Sequence, residues 1–136
     1  MVCSRHTKAE KMNYCVNIFL FGKKVLLLKR SKNNIFFPLI WTPIIGKIKE
    51  KEAPDKAVIR ETIEETSLKV KENIIFLGQE KYKNDNYWFY YSIHDDSLPN
   101  IELNHENEDF EFFDINNLPN NLWGFFKDKI RILSNH

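Results

Sequence analysis

The chain has 136 residues, with 20 lysines and arginines against 19 aspartates and glutamates, for a formal net charge of +1. That length suits one domain, and a hydrophobic share of 43% with 14% aromatics supplies a core without disulfide staples. The near-neutral balance argues against a general binder of nucleic acid or membrane surfaces, whose affinity rests on a basic excess.

Residues 1–12 are polar and mildly basic and read as a flexible leader to a single domain over 1–136. Tyr14 to Phe21 and Val25 to Lys29 are apolar, β-branched or aromatic runs around Gly22-Lys23-Lys24, which predicts two adjacent strands. Asn17 interrupts the first run, and no small-residue cleavage site follows, so a strand is expected there and not a signal peptide. Ser31 to Pro38 reads as a loop, and Trp41 to Ile45 as a short buried strand ending at Gly46. Glu52 to Thr66 is the best helix, with Pro54 in its first turn. Ile74 to Gln79 and Tyr87 to His94 read as strands around an Asn84-Asp85-Asn86 turn. Asp95 to Asn107 is polar and loop-like, and Phe110 to Ile115 is a further strand. After Pro119-Asn120-Asn121 an amphipathic helix places Trp123, Phe126, Ile130 and Leu133 on one side. This order predicts an α/β fold, a mixed sheet covered by helices on both faces. No stretch approaches the roughly 20 apolar residues of a membrane span. Cys3 and Cys15 are expected to be reduced thiols of a cytoplasmic protein. His6, His94, His105 and His136 show no zinc spacing.

On a helix advancing about 100° per residue, Glu61, Glu64 and Glu65 share one face, with Ile59 and Ile63 opposite and free to pack on a sheet. Like charges at this spacing repel. A hard cation such as Mg²⁺ or Mn²⁺ would relieve them, taking its other ligands from water and substrate phosphates. Taken alone, the same pattern fits a solvated acidic helix face.

The spacing upstream separates these readings. Gly46 is followed by five residues and Glu52, then by seven residues and Arg60-Glu61-Thr62-Ile63-Glu64-Glu65-Thr66-Ser67-Leu68. This resembles the Nudix box, matching at Gly46, Glu52, Arg60, Glu61, Glu64, Glu65 and Leu68. Val25 to Arg30, Trp41-Thr42-Pro43 and Phe112 to Pro119 resemble the family's flanking segments. Thr62 stands where an aliphatic residue is usual, Ser67 where glycine is usual, and Ile44-Ile45 where Pro-Gly is frequent.

The resemblance implies a Nudix-type α/β/α sandwich of the MutT kind and hydrolysis of a diphosphate linkage with Mg²⁺ or Mn²⁺. It implies that Glu61, Glu64 and Glu65 bind the metal, with the Ile45 carbonyl as a further ligand. Glu52 and Arg60 correspond to an internal salt bridge, and Gly46 to a sharp backbone turn near the metal. Counting back six residues from Phe112, as the family's loop glutamate suggests, reaches Glu106, an additional ligand or the general base. The attacking water would lose its proton to a glutamate while cations neutralise the diphosphate. Arg30 and Lys47 are candidates to steady phosphates. Trp41, Phe36 and Phe37 are candidates to line a base pocket. The expected substrate is a small nucleotide, a nucleoside di- or triphosphate. The alternatives are a dinucleoside polyphosphate, a nucleotide sugar, an RNA 5′ end, or a non-catalytic nucleotide-binding module. No membrane or stable nucleic-acid partner is expected, and the chain is expected to be a monomer or homodimer.

Overall fold

The computed structural model describes residues 11–33, 38–68, 70, 73–94 and 100–135. Among the described residues seven strands form one mixed sheet: β1 (Asn13–Phe21), β2 (Lys24–Arg30), β3 (Trp41–Thr42), β4 (Ile44–Lys47), β5 (Ile75–Tyr82), β6 (Asp85–His94) and β7 (Asn107–Asp114). Helix α1 (Pro54–Thr66) follows β4, and α2 (Gly124–Ile132) follows β7, continued by one 3₁₀ turn over Leu133–Asn135. Among the described residues no helix is long and apolar enough to cross a membrane.

Strand β1 is the axis. Its apolar alternation is buried on both faces, and it pairs in parallel with β6 from Asn13↔Asn86 to Phe21↔His94. Along its other edge, β4 runs antiparallel to its first half, Tyr14↔Lys47 to Asn17↔Ile44, and β2 joins its end through the Gly22-Lys23 turn. Strand β2 in turn pairs with β7. The period-two pattern then sorts the core. Val16, Ile18, Leu20, Val25, Leu27, Tyr87 and Phe89 meet Phe126 and Ile130 of α2 on one face. Cys15, Tyr90, Phe19, Leu26, Leu28 and Ile44 lie on the other, where Ala57, Val58 and Ile59 of α1 pack. The layered α/β/α arrangement is therefore the one expected.

Several boundaries differ. Pro43, which cannot donate to a ladder, divides the expected strand at Trp41 to Ile45 into β3 and β4, and Gly46 lies inside β4 instead of ending it. The hairpin loop after β5 is Lys83-Asn84, because Tyr82 pairs with Asp85 and Lys83 takes φ 58°. Strand β7 starts at Asn107, earlier than its aromatic run, because polar residues continue its pairing with β2. In α1 the expected apolar face is rotated: Ile59 is packed, but Ile63 is 41% exposed, and Thr62, Thr66, Glu61 and Glu65 turn inward with Ala57 and Val58.

Thr62 has a specific partner in that inward face. Asn17 Nδ2 donates to Thr62 Oγ1 at 3.1 Å, Thr62 Oγ1 donates to Val58 O at 2.8 Å, and Ser92 Oγ donates to Asn17 Oδ1 at 3.3 Å. The three side chains are fully buried. A polar residue in the middle of β1 is thus satisfied by a hydroxyl at a helix position that would otherwise hold an aliphatic side chain.

Candidate active site

Strand β4 and helix α1 are joined by a short loop, and Arg60 ties the two together. Its Nε and Nη2 donate to both Glu52 oxygens at 2.8 and 2.9 Å, and Nη2 also reaches Lys47 O at 3.0 Å. Lys49 N adds a bond to Glu52 Oε1 at 2.9 Å. The guanidinium beside Glu52 holds that carboxyl down at about 2. This bidentate clamp fixes the loop that leads from the strand to the helix.

Arg60 does more than pair with Glu52. Its Nη1 donates to Glu61 Oε2 at 3.0 Å and to both Glu64 oxygens at 3.2 Å. The expected trio of glutamates is therefore split. Glu61 and Glu65 are 9% and 3% exposed. The side chain of Glu64 is 49% exposed and turned onto Arg60. Among the described residues no three acidic, histidine or cysteine side chains already converge as a metal shell. The reason is the inward rotation of α1, which carries Glu61 and Glu65 toward the sheet and leaves Glu64 at its rim.

Glu61 and Glu65 are neighbours in a site largely shielded from water. Burial pushes both upward, and the Glu61 charge pushes Glu65 further, well above the carboxylate range. Glu106, just before β7, raises Glu65 as well, whereas Arg30 at the end of β2 opposes the shift. Asn107 Nδ2 approaches Glu65 Oε1 at 3.5 Å. Glu106 itself is exposed and held by Asn104 through its N–H, at 3.1 Å, and its carboxylate, at 3.5 Å.

Gly46 faces this pair. A Cβ built there would overlap the Glu61 carboxylate. The backbone at Gly46 is extended and lies in register with Cys15. The glycine is therefore required for space; the sharp turn expected from sequence is absent. Cys15 Sγ donates to Gly46 O at 3.6 Å, and burial pushes its thiol up to about 12, which leaves it unreactive. The side chain of Ile45 points to the opposite face of the sheet and joins the core under α2.

The remaining candidates are spread around this centre. Lys47 follows Gly46 and exposes its side chain opposite Tyr14. Trp41 packs edge-on against Phe113 at 5.0 Å on the α2 face, away from the glutamates. Phe36 and Phe37 lie outside the described residues. A cavity of about 280 Å³ instead opens on the α2 face, lined by Tyr14, Tyr82, Lys83, Asp85, Tyr87 and Trp123. Tyr14 and Tyr87 stack at 5.1 Å along its wall. Sequence reasoning missed this pocket, because its residues come from β1, the β5–β6 turn and the start of α2. The period-two pattern put Tyr87 on the face that includes it. The Arg30 charge opposes the upward shift of both Tyr14 and Glu65.

Known proteins share this fold. The family profile described as NUDIX domain matches residues 12–134. Among solved structures, the MutT protein of Methanosarcina mazei Go1 superposes with a TM-score of 0.74 at 20% identity, covering 93% of this chain and 96% of that one. An Ap4A hydrolase of C. elegans, solved as a binary complex, gives 0.68 at 22% identity over 91% and 96% of the two chains. The NUDIX domain of Shewanella oneidensis NrtR, complexed with ADP ribose, gives 0.65 at 18% identity over 79% and 75%. At these identities the likeness speaks to the fold. No curated protein sequence matches the chain.

Proposed function

The chain belongs to the Nudix family of pyrophosphate-bond hydrolases, and we propose from that premise that it cleaves a diphosphate linkage in a nucleoside di- or triphosphate with the help of Mg²⁺ or Mn²⁺. The observation that carries the metal reading is the Glu61–Glu65 pair. Two carboxylates pressed together away from water, both shifted upward, are a hard-oxygen donor set whose repulsion a divalent cation relieves. Glu61, Glu64 and Glu65 would hold it, with the Ile45 carbonyl. When bound, the cation supplies charge neutralisation on the phosphates and lowers the pKa of water.

The chain's own residues supply the rest. Glu64 swings from Arg60 to complete the site, and its exposure leaves it room to do so. The Arg60–Glu52 clamp keeps the loop and helix in place while it moves. Arg30 and Lys47 supply positive charge to the phosphates. Glu106, exposed and anchored by Asn104, takes the proton from the attacking water. The cavity beside Tyr14 accepts the base, and its size, at the low end for ligand pockets, fits a base and not a whole nucleotide. The Ap4A hydrolase and the ADP-ribose-bound NUDIX domain among the structural relatives make dinucleoside polyphosphates and nucleotide sugars the substrates to set beside nucleoside triphosphates.

The test is turnover. Purified protein with Mg²⁺ and a panel of nucleoside di- and triphosphates, dinucleoside polyphosphates and nucleotide sugars should release phosphate, pyrophosphate or a mononucleotide from at least one of them. Glu64→Gln should lower the rate by about a hundredfold or more. No release from any substrate overturns the reading.

A further inference from the structure

Strands β2 and β7 pair without a break from Lys24↔Asp114 to Lys29↔Asp109, and the register then shifts so that Arg30 faces Asn107. Glu108 is the extra residue of a β-bulge. An unbroken ladder would set Glu108 opposite Arg30 and turn Asn107 to the α2 face of the sheet, since one residue of slip reverses the side chains beyond it. The bulge instead puts Asn107 on the face that Leu26, Leu28 and Phe112 share with Ile59 of α1. There Asn107 is only 6% exposed, and its Nδ2 lies 3.5 Å from Glu65 Oε1. Glu108 is left exposed, its Oε1 accepting the Lys32 N–H at 3.1 Å. Backbone bonds pin the start of the strand: Ser31 N donates to Glu106 O at 3.0 Å, and Asn107 N to Asn104 O at 3.4 Å.

Bulges beside functional sites re-aim a side chain, and a buried amide aimed at one of two crowded glutamates has a definite chemistry. Facing a carboxylate, the amide presents its nitrogen, because its oxygen would meet like charge. It donates to one oxygen of Glu65 and leaves the other open. It brings no charge, so it does not compete with a cation as the Arg60 guanidinium does at Glu64. Hydrogen bonds to an ionised carboxylate are short, so the present contact, long at 3.5 Å, tightens when a cation fixes the charge on Glu65. Groups that hold a metal ligand from behind set its orientation and much of its affinity. Asn107 also follows Glu106 directly, and the Glu106 charge reaches Glu65. We propose that Asn107 is a positioning residue that orients Glu65 for cation binding and seats Glu106 beside the glutamate pair. The inference rests on the divalent-cation reading of that pair and adds to it a residue from outside the box.

Mn²⁺ affinity, followed by electron paramagnetic resonance on the full chain without nucleotide, tests it apart from turnover. Asn107→Leu keeps the volume and removes the donor, and should weaken Mn²⁺ binding by about tenfold or more. The Mg²⁺ concentration for half-maximal turnover should rise by a similar factor. With Mg²⁺ saturating, kcat should stay depressed and KM for nucleotide unchanged, because Glu106 is displaced while nothing that touches nucleotide has altered. A purely structural role would lower the melting temperature in EDTA and leave the Mn²⁺ affinity of the folded protein as it was. Glu108→Gln, on the bulge itself but exposed, should shift the affinity by less than about twofold, since its charge is screened. If Asn107→Leu does not fold, Asn107→Ser, which is polar and lacks the amide, carries the same expectation.

Mn²⁺ affinity equal to wild type in the Asn107 variant, or weakened as much by Glu108→Gln, overturns the role of Asn107 and leaves the cation reading intact. A wild type that binds no Mn²⁺ overturns both.

Discussion

Gly46 and Glu61 occupy one space: the glutamate side chain lies where a Cβ at position 46 would be. A strand residue and a helix residue thus meet without any hydrogen bond between them, and the absence of a side chain on one defines the position of the carboxylate on the other. Gly46→Ala should displace Glu61 from beside Glu65. We expect a loss of about 1–3 kcal/mol from overpacking and a fall in kcat far larger than that loss explains. Denaturant unfolding and turnover measured on the same variant check it.

The Glu61–Glu65 pair makes stability depend on pH in a stated direction. Burial raises both folded pKa values, that of Glu65 well above the ordinary carboxylate value. The contribution is therefore fully present below about pH 4.3, the unfolded value, and is lost as pH rises through the raised folded values. Metal-free protein should lose stability on going from mildly acidic to alkaline pH, and Mg²⁺ should remove much of that loss. Glu65→Gln in EDTA should be neutral or stabilising at pH 8. Thermal melts across pH, with and without Mg²⁺, give the answer, and a pH-independent melting temperature in EDTA would contradict it.

Glu52 behaves oppositely. Arg60 holds it at about 2, below its unfolded value, so its contribution is present above about pH 4.3 and lost as pH falls toward 2. Both side chains touch solvent, and screening limits the pair to about 1 kcal/mol. Glu52→Gln should cost that much at pH 7 and nothing near pH 2, read from urea unfolding at the two values.

The buried Asn17–Thr62–Ser92 chain predicts non-additivity. Thr62→Val leaves the Asn17 amide unsatisfied and should cost about 1–3 kcal/mol. Adding Asn17→Val should recover part of that loss, giving a coupling of about 1 kcal/mol in a double-mutant cycle. Additive effects would mean the hydrogen bond at 3.1 Å carries no energy.

Ser67 caps α1 with φ 65° and donates its N–H to Ile63 O at 2.8 Å. Ser67→Gly removes a left-handed strain of about 1 kcal/mol and gives up only a hydroxyl contact of 3.4 Å to Glu102 O. A rise in melting temperature with unchanged turnover is expected.

Period and spacing made much of this legible. The alternation of Val16, Ile18 and Leu20 marked β1, and the interval from Gly46 to Leu68 marked the loop and helix of the box. What stayed hidden depends on tertiary rotation. A helical wheel places Glu61, Glu64 and Glu65 together, but only the sheet decides that two of them turn inward and that Arg60 takes the third. Asn17 looked like an interruption of a strand, because its partners Thr62 and Ser92 lie far along the chain. The cavity was unreadable for the same reason: Tyr14, Asp85 and Trp123 share no local pattern, and they meet only because β1 and β6 run parallel beneath α2.

We propose the buried glutamate pair as a divalent-cation site for pyrophosphate-bond hydrolysis. Its most direct test is Mn²⁺ binding followed by electron paramagnetic resonance on the wild type and on Glu61→Gln, with turnover of the best nucleotide substrate measured in parallel. The wild type should bind Mn²⁺ and be inactive in EDTA, and Glu61→Gln should lose both binding and turnover. Equal Mn²⁺ binding by the two proteins, or turnover that persists in EDTA, would contradict it.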